Sequence, residues 1–156
     1  MPAQIVALEG LPSLLAPQAR LLGVDLGDKT IGLALSDTRR TIASPLETLK
    51  RTKFRADAER LLALAKRHDV GALVVGLPRN MDGSEGPRAQ STRAFVKNLA
   101  PLTTLAIAFW DERLSTAAVT RTLIAADASR KRRAALVDKM AAAYILQGAL
   151  DRLGYG

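Results

Sequence analysis

Two strand-like segments separated by only three residues limit this chain more than anything else in it. Leu21 to Asp25 is a short apolar run ending at Gly27, and residues 30–37 form a second run. The link Gly27-Asp28-Lys29 is short enough only for a tight antiparallel hairpin. A third strand is expected from Thr41 to Leu49, and Pro45 argues that it lies at an edge, because proline cannot donate to a ladder. The period then changes. Phe54, Ala58, Leu61, Leu62 and Ala65 fall on one helical face over residues 54–68. Gly71 to Gly76 reads as a buried strand inside a helix–strand–helix alternation, which favours parallel pairing. Residues 78–87 form a loop, 88–99 a helix and 103–110 a strand. Ser115 or Thr116 can cap a helix over 116–126. The basic run 129–133 reads as mobile, and a last helix spans about 135–152, stopped at Gly154.

The expected fold is therefore α/β: a mixed five-stranded sheet, an antiparallel meander plus two parallel strands, with helices on both faces. Residues 1–18, with Pro2, Pro12 and Pro17, read as an N-terminal extension outside the core or draped on it. Residues 19–156 read as one domain.

Three acids occupy telling places in that scheme. Asp25 ends the first strand and Glu112 ends the last. In open α/β sheets, sites gather beyond the carboxyl ends of parallel strands. Asp138 falls in the first turn of the final helix. Its face is Asp138, Ala141, Ala142, Ile145 and Ala149, and the small alanines would let that helix lie close to the sheet. Converging carboxylates repel one another, a cost that a divalent cation removes. Ligands of this kind, without His or Cys, select Mg²⁺ or Mn²⁺. Two such ions about 3.5–4 Å apart can drive an in-line displacement at phosphorus. Each acid taken singly has a plainer reading: Asp25 as a turn residue, Asp138 as a partner of the helix dipole, Glu112 as a surface ion pair.

Composition narrows the chemistry. Lys plus Arg number 23 against 15 Asp plus Glu, a formal net charge of +8, which favours a polyanionic partner such as nucleic acid. With no Cys and a single His, thiolate metal sites, His-rich zinc sites and Ser-His-Asp catalysis are excluded. No apolar run reaches membrane-span length, and no basic residue precedes Arg20, so neither a span nor a signal peptide is expected. A reduced cytoplasm fits.

Four motifs carry a resemblance. They are Gly23-Val24-Asp25-Leu26-Gly27-Asp28-Lys29 with Ile31-Gly32-Leu33-Ala34; Val75-Gly76-Leu77-Pro78-Arg79-Asn80-Met81-Asp82-Gly83; Asp111-Glu112-Arg113-Leu114-Ser115-Thr116; and Val137-Asp138-Lys139-Met140-Ala141-Ala142. Together they resemble the YqgF family, nucleases similar to Holliday junction resolvases that process precursor 16S ribosomal RNA. The resemblance covers about residues 20–153 and implies a ribonuclease-H-like fold. It also implies a metal-dependent endonuclease with Asp25, Glu112 and Asp138 as catalytic metal ligands. Asp28 departs from the pattern, where a small or hydroxylated residue is expected.

Around these acids, Lys29, Arg79, Asn80, Arg88 and Arg113 are candidates to hold substrate phosphates, as are Arg130, Lys131, Arg132 and Arg133. A second basic cluster is Lys50, Arg51, Lys53 and Arg55; charge runs of this kind are commonly solvated faces. Asn80 to Gly83 also suits plain turn chemistry, and Arg113 a structural ion pair. Structured RNA is the expected substrate. The alternatives are a Holliday junction resolvase, which would need a homodimer to cut two strands symmetrically, and a non-catalytic assembly factor. A nucleotide-binding module of the actin and sugar-kinase kind would need a second lobe that this chain lacks.

Overall fold

The computed structural model describes residues 4–114 and 130–155, without the side chains of 130–139. One sheet runs in the order β3-β2-β1-β4-β5: β1 Arg20–Leu26, β2 Thr30–Ser36, β3 Ala43–Lys50, β4 Val70–Leu77 and β5 Ala106–Asp111. Helix α1 is Phe54–Arg67, α2 is Pro87–Leu99 and α3 is Arg130–Arg152. β1, β2 and β3 form the antiparallel meander, while β1–β4 and β4–β5 pair in parallel. The β1–β2 hairpin closes as the Gly27 N–H donates to the Thr30 carbonyl at 2.9 Å. β3 is the edge strand, and Pro45 lies where the register breaks between Leu33 and Ala34, so the missing donor falls at a bulge.

Strand alternation sorts the core into two layers. Leu22, Val24, Leu26, Leu73, Val75 and Ile107 meet Ala58 and Leu61 of α1 and Phe95 and Val96 of α2 on one face. On the other, Leu21, Ala34, Val74, Ala108 and Trp110 meet Ala142, Ile145, Leu146 and Ala149 of α3. Glycines bring α3 close to the sheet. A Cβ on Gly23 would stand 2.8 Å from the Ala142 carbonyl, and one on Gly148 would stand 2.7 Å from the Trp110 ring.

Three expectations shift. β5 begins at Ala106 rather than 103, because Pro101 lies in a 3-10 turn over Ala100–Leu102 and the Thr103 hydroxyl accepts the Leu105 N–H at 3.1 Å, spending the intervening residues in turns. α3 begins at Arg130, so the basic run read as mobile has helical backbone; Arg, Lys, Ala and Leu are strong helix formers, and that preference carries the helix toward its N-terminus despite like charges. Residues 4–18 do more than lie alongside the domain: Leu8 and Leu11 are buried in the α3-side core, and Val6 donates to the Ile107 carbonyl at 2.9 Å. The helix expected over 116–126, with its caps Ser115 and Thr116, lies outside the described residues. Among those described, no helix is long and apolar enough to cross a membrane.

Candidate active site

Parallel pairing brings the carboxyl ends of β1, β4 and β5 to one rim. Asp25 is the penultimate residue of β1, opposite Gly32 of β2, and only 1% exposed. Val24 pairs with Val75, so Asp25 lies level with Gly76 on the next strand, and Gly76 in turn pairs with Trp110. Alternation puts Asp25 on the α3 face together with Gly23, two residues before it. Gly76 shares that face, since a Cβ on it would meet Ile145 of α3.

Glu112 begins a 3-10 turn, Glu112–Leu114, directly after β5 and is 6% exposed. Its Oε2 lies 3.2 Å from where a Gly76 Cβ would be. Asp25 and Glu112 thus flank Gly76 from either side, at one end of the sheet, although 87 positions separate them in the sequence numbering. Asp25 thus has glycine on both neighbouring strands, Gly32 opposite it and Gly76 level with it. Asp138 lies on α3 one turn before Ala142, the residue whose carbonyl approaches Gly23; its side chain is outside the described residues. Among those described, no group of three or more His, Cys, Asp or Glu side chains could hold a metal ion. The described donors are the two carboxylates, a hard-oxygen set that suits Mg²⁺ or Mn²⁺.

The arginines beside this pair are organised by another acid, Asp111. Its carboxylate accepts Arg113 Nε at 3.1 Å and Nη2 at 2.7 Å, and the Arg113 N–H at 3.0 Å. Those bonds from Arg113, helped by nearby Arg79, hold the Asp111 carboxyl below its ordinary value and raise the Arg113 guanidinium. Arg79 lies more loosely between Asp111 at 3.6 Å and Glu85 at 3.5 Å. Glu85 is gripped by Arg93 at 2.5 and 2.7 Å, which depresses its pKa. Arg113 therefore pairs with Asp111; it also donates to the Met81 carbonyl at 3.4 Å.

Of the remaining candidates, Lys29 is exposed on the β1–β2 hairpin and Arg88 is exposed in the first turn of α2, both at this rim. Asn80 is spent on its own turn: its N–H donates to the Ser84 carbonyl at 2.9 Å and its Nδ2 to the Ser84 hydroxyl at 3.0 Å. Arg130, Lys131, Arg132 and Arg133 lie on the first turn of α3, their side chains outside the described residues. Sequence reading missed Gly76 as a spacer and Asp111 as an anchor. A glycine inside a strand is a recognised sign of close approach, so the first was open to detection; the second depends on the 3-10 turn that swings Arg113 back.

Residues 19–152 match the family described as RuvX, Holliday junction resolvase. The chain belongs to this family. The resemblance carried by the four motifs and this match agree. A relative from Beijerinckia indica, bearing the name "Putative pre-16S rRNA nuclease", is 64% identical over 155 residues, 99% of this chain and 94% of the relative. One of the same name from Paramagnetospirillum magneticum is 65% identical over 147 residues, 94% and 95% of the two chains. Among solved structures, Thermus thermophilus RuvC in complex with a Holliday junction substrate overlays this RuvX-family chain with a TM-score of 0.53 at 15% identity, covering 87% of this chain and 96% of RuvC. That likeness establishes the ribonuclease-H-like fold expected from the sequence.

Proposed function

We propose that this RuvX-family protein is a metal-dependent endonuclease that hydrolyses phosphodiester bonds in structured RNA, processing the 5′ end of precursor 16S ribosomal RNA in the cytoplasm. One observation carries the reading: two buried carboxylates, Asp25 and Glu112, are brought to either side of Gly76 at the carboxyl-end rim of the sheet. The names of its close relatives support the choice of RNA.

The residues fit a hard divalent cation. Asp25 and Glu112 would hold Mg²⁺ or Mn²⁺, with Asp138 as the third carboxylate, and two ions are the expected complement. A bound ion of this kind supplies charge neutralisation at the phosphate and acidifies a water. The chain's own residues do the rest. Burial fixes both carboxylates against the sheet, so little reorganisation is needed when substrate arrives. Arg79, held at 3.5–3.6 Å by its two acids, is the arginine most readily transferred to a phosphate. Lys29 and Arg88, exposed on the same rim, would flank the bound strand, and Arg130 to Arg133 would follow it beyond α3.

The test is cleavage of precursor 16S ribosomal RNA with Mn²⁺ by the wild type and by Asp25→Asn and Glu112→Gln. Loss of cleavage with retained melting temperature is expected of both variants; full activity in either removes that residue from the site. The RuvC-like fold and the family description favour a second reading, resolution of four-way DNA junctions by a homodimer. A junction substrate run alongside decides between them.

A further inference from the structure

Lys29, Lys50, Lys53 and Arg55 are all exposed where β3 turns into α1. Thr30 pairs with Lys50, so the hairpin bearing Lys29 lies beside the end of β3. The corner beneath them is firmly built. Arg51 turns inward: its N–H donates to the Lys29 carbonyl at 2.8 Å and its Nη1 to the Gly27 carbonyl at 2.8 Å, while its guanidinium lies 5.6 Å from the Phe95 ring centroid. Asp57, 1% exposed, accepts the Thr52 N–H at 3.0 Å, the Thr52 hydroxyl at 2.9 Å and Arg60 Nη2 at 2.6 Å. The same Arg60 nitrogen donates to the Lys50 carbonyl at 2.6 Å.

Charge is handled differently on the two sides of the rim. Arg79, Arg93 and Arg113 are all engaged by acids. At the β3–α1 corner the local carboxylate, Asp57, is buried and taken up by Arg60. Among the described residues, Lys29, Lys50, Lys53 and Arg55 make no ion pair. Asp28, Glu47 and Glu59 are the exposed acids close by in sequence; three against the four exposed cations leave the corner net positive. Lys53, at the N-cap of α1 with no capping bond from its side chain, and Arg55, in the first turn, also oppose the helix dipole, which favours anions there. Asp57, in the first turn of α1, answers part of the dipole mismatch, but mutual repulsion among the four exposed cations is a local cost that no ion pair relieves among the described residues.

We propose that this corner is a nucleic-acid contact surface, on which Lys50, Lys53, Arg55 and Lys29 grip backbone phosphates flanking the bond that is cut. By strand spacing, the Cα of Lys50 is about 12 Å from that of Asp25, two strands across and two residues along. The corner therefore reaches a stretch of backbone beside the scissile one and not the scissile phosphate itself. Phosphate contact removes repulsion that the free protein carries, and the rigid backbone keeps the ordering cost small. The proposal rests on the nuclease reading for the identity of the polyanion.

The experiment measures binding of a fluorescein-labelled RNA hairpin by anisotropy in EDTA, from about 50 to 300 mM salt, so that no cleavage intervenes. Lys50→Gln/Lys53→Gln/Arg55→Gln should flatten the slope of log affinity against log salt by roughly 2, at about 0.7–0.9 per phosphate contact. Lys66→Gln/Arg67→Gln removes exposed cations from the far end of α1 and should leave that slope unchanged. Cleavage with Mn²⁺ at sub-saturating RNA should fall in the triple variant as its binding weakens. A triple variant with the wild-type slope, or a wild type that binds no RNA, overturns the surface. A flattened slope in a protein that never cuts keeps the surface and defeats the nuclease reading.

Discussion

Gly76 and Glu112 share one small volume: a Cβ on Gly76 would stand 3.2 Å from Oε2 of Glu112, with Ile145 crowding its other side. Gly76→Ala should therefore harm the protein in two separable ways. Contact with Ile145 is overpacking, worth about 1–3 kcal/mol of stability by denaturant unfolding. Displacement of Glu112 should weaken Mn²⁺ binding about tenfold or more, as disturbing the support of a metal ligand typically does. Gly76→Ala/Ile145→Val should recover much of the stability but not the Mn²⁺ affinity. If both return together, Gly76 serves packing only.

Gly148 faces Trp110 as Gly76 faces Ile145, and here two effects compete. Gly148→Ala gains about 1 kcal/mol of helix propensity. Its methyl would stand 2.7 Å from the Trp110 ring, a large side chain 5% exposed in the core, and overpacking costs about 1–3 kcal/mol. The loss should win, lowering the melting temperature by several degrees. Trp110 is the chain's one tryptophan, so its emission reports the outcome directly. A red shift is expected as α3 lifts, and a stabilised variant with unchanged emission would show that the helix slides aside instead.

Much of this architecture was legible because periodicity changes so clearly near Lys50. The hairpin, the edge position of β3 and the parallel pairing of β4 all follow from local pattern and turn chemistry. The convergence of Asp25 and Glu112 was legible too, since parallel strands must deliver their ends to one rim. Other features depended on tertiary contacts that no local pattern encodes. Leu8 and Leu11 enter the α3-side core from a proline-rich segment without regular period. Arg113 binds Asp111 because the turn after β5 reverses it, whereas sequence adjacency favours Asp111 and Glu112 equally. The inward turn of Arg51 amid exposed cations was likewise invisible, because a charge run looks alike whichever member turns inward.

The Asp111–Arg113 pair makes a direct claim about titration. Arg113 hydrogen bonds first, then the charge of Arg79, hold the Asp111 carboxyl below the ordinary value near 3.9. A carboxyl lowered in the native state stabilises it above the unfolded value, and that contribution is lost as pH falls through the native one. Carboxyl ¹³C titration should therefore give Asp111 a midpoint below the usual range, and Arg113→Gln should move it up. An unshifted midpoint in the wild type would mean that the pair is not populated in solution.

Asp57 should govern acid stability at the β3–α1 corner. Burial alone would raise its pKa, but donation from the Thr52 N–H and hydroxyl, and from Arg60, outweighs burial and lowers it. The sign is thus that of a stabilising carboxylate, fully effective above about pH 4 and progressively lost as pH falls through the lowered native value. Asp57→Asn keeps the shape but loses the charge-assisted bond to Arg60, so at pH 7 it should be less stable than wild type by about 1–3 kcal/mol. The gap should hold between pH 7 and 5 and narrow below about pH 4, as the carboxyl takes up its proton and loses the same advantage. Urea unfolding at pH 7, 5 and 3 measures it. A gap that stays constant across that range would mean that the Asp57→Asn change costs only packing, and that the Arg60 bond contributes nothing to holding the corner together.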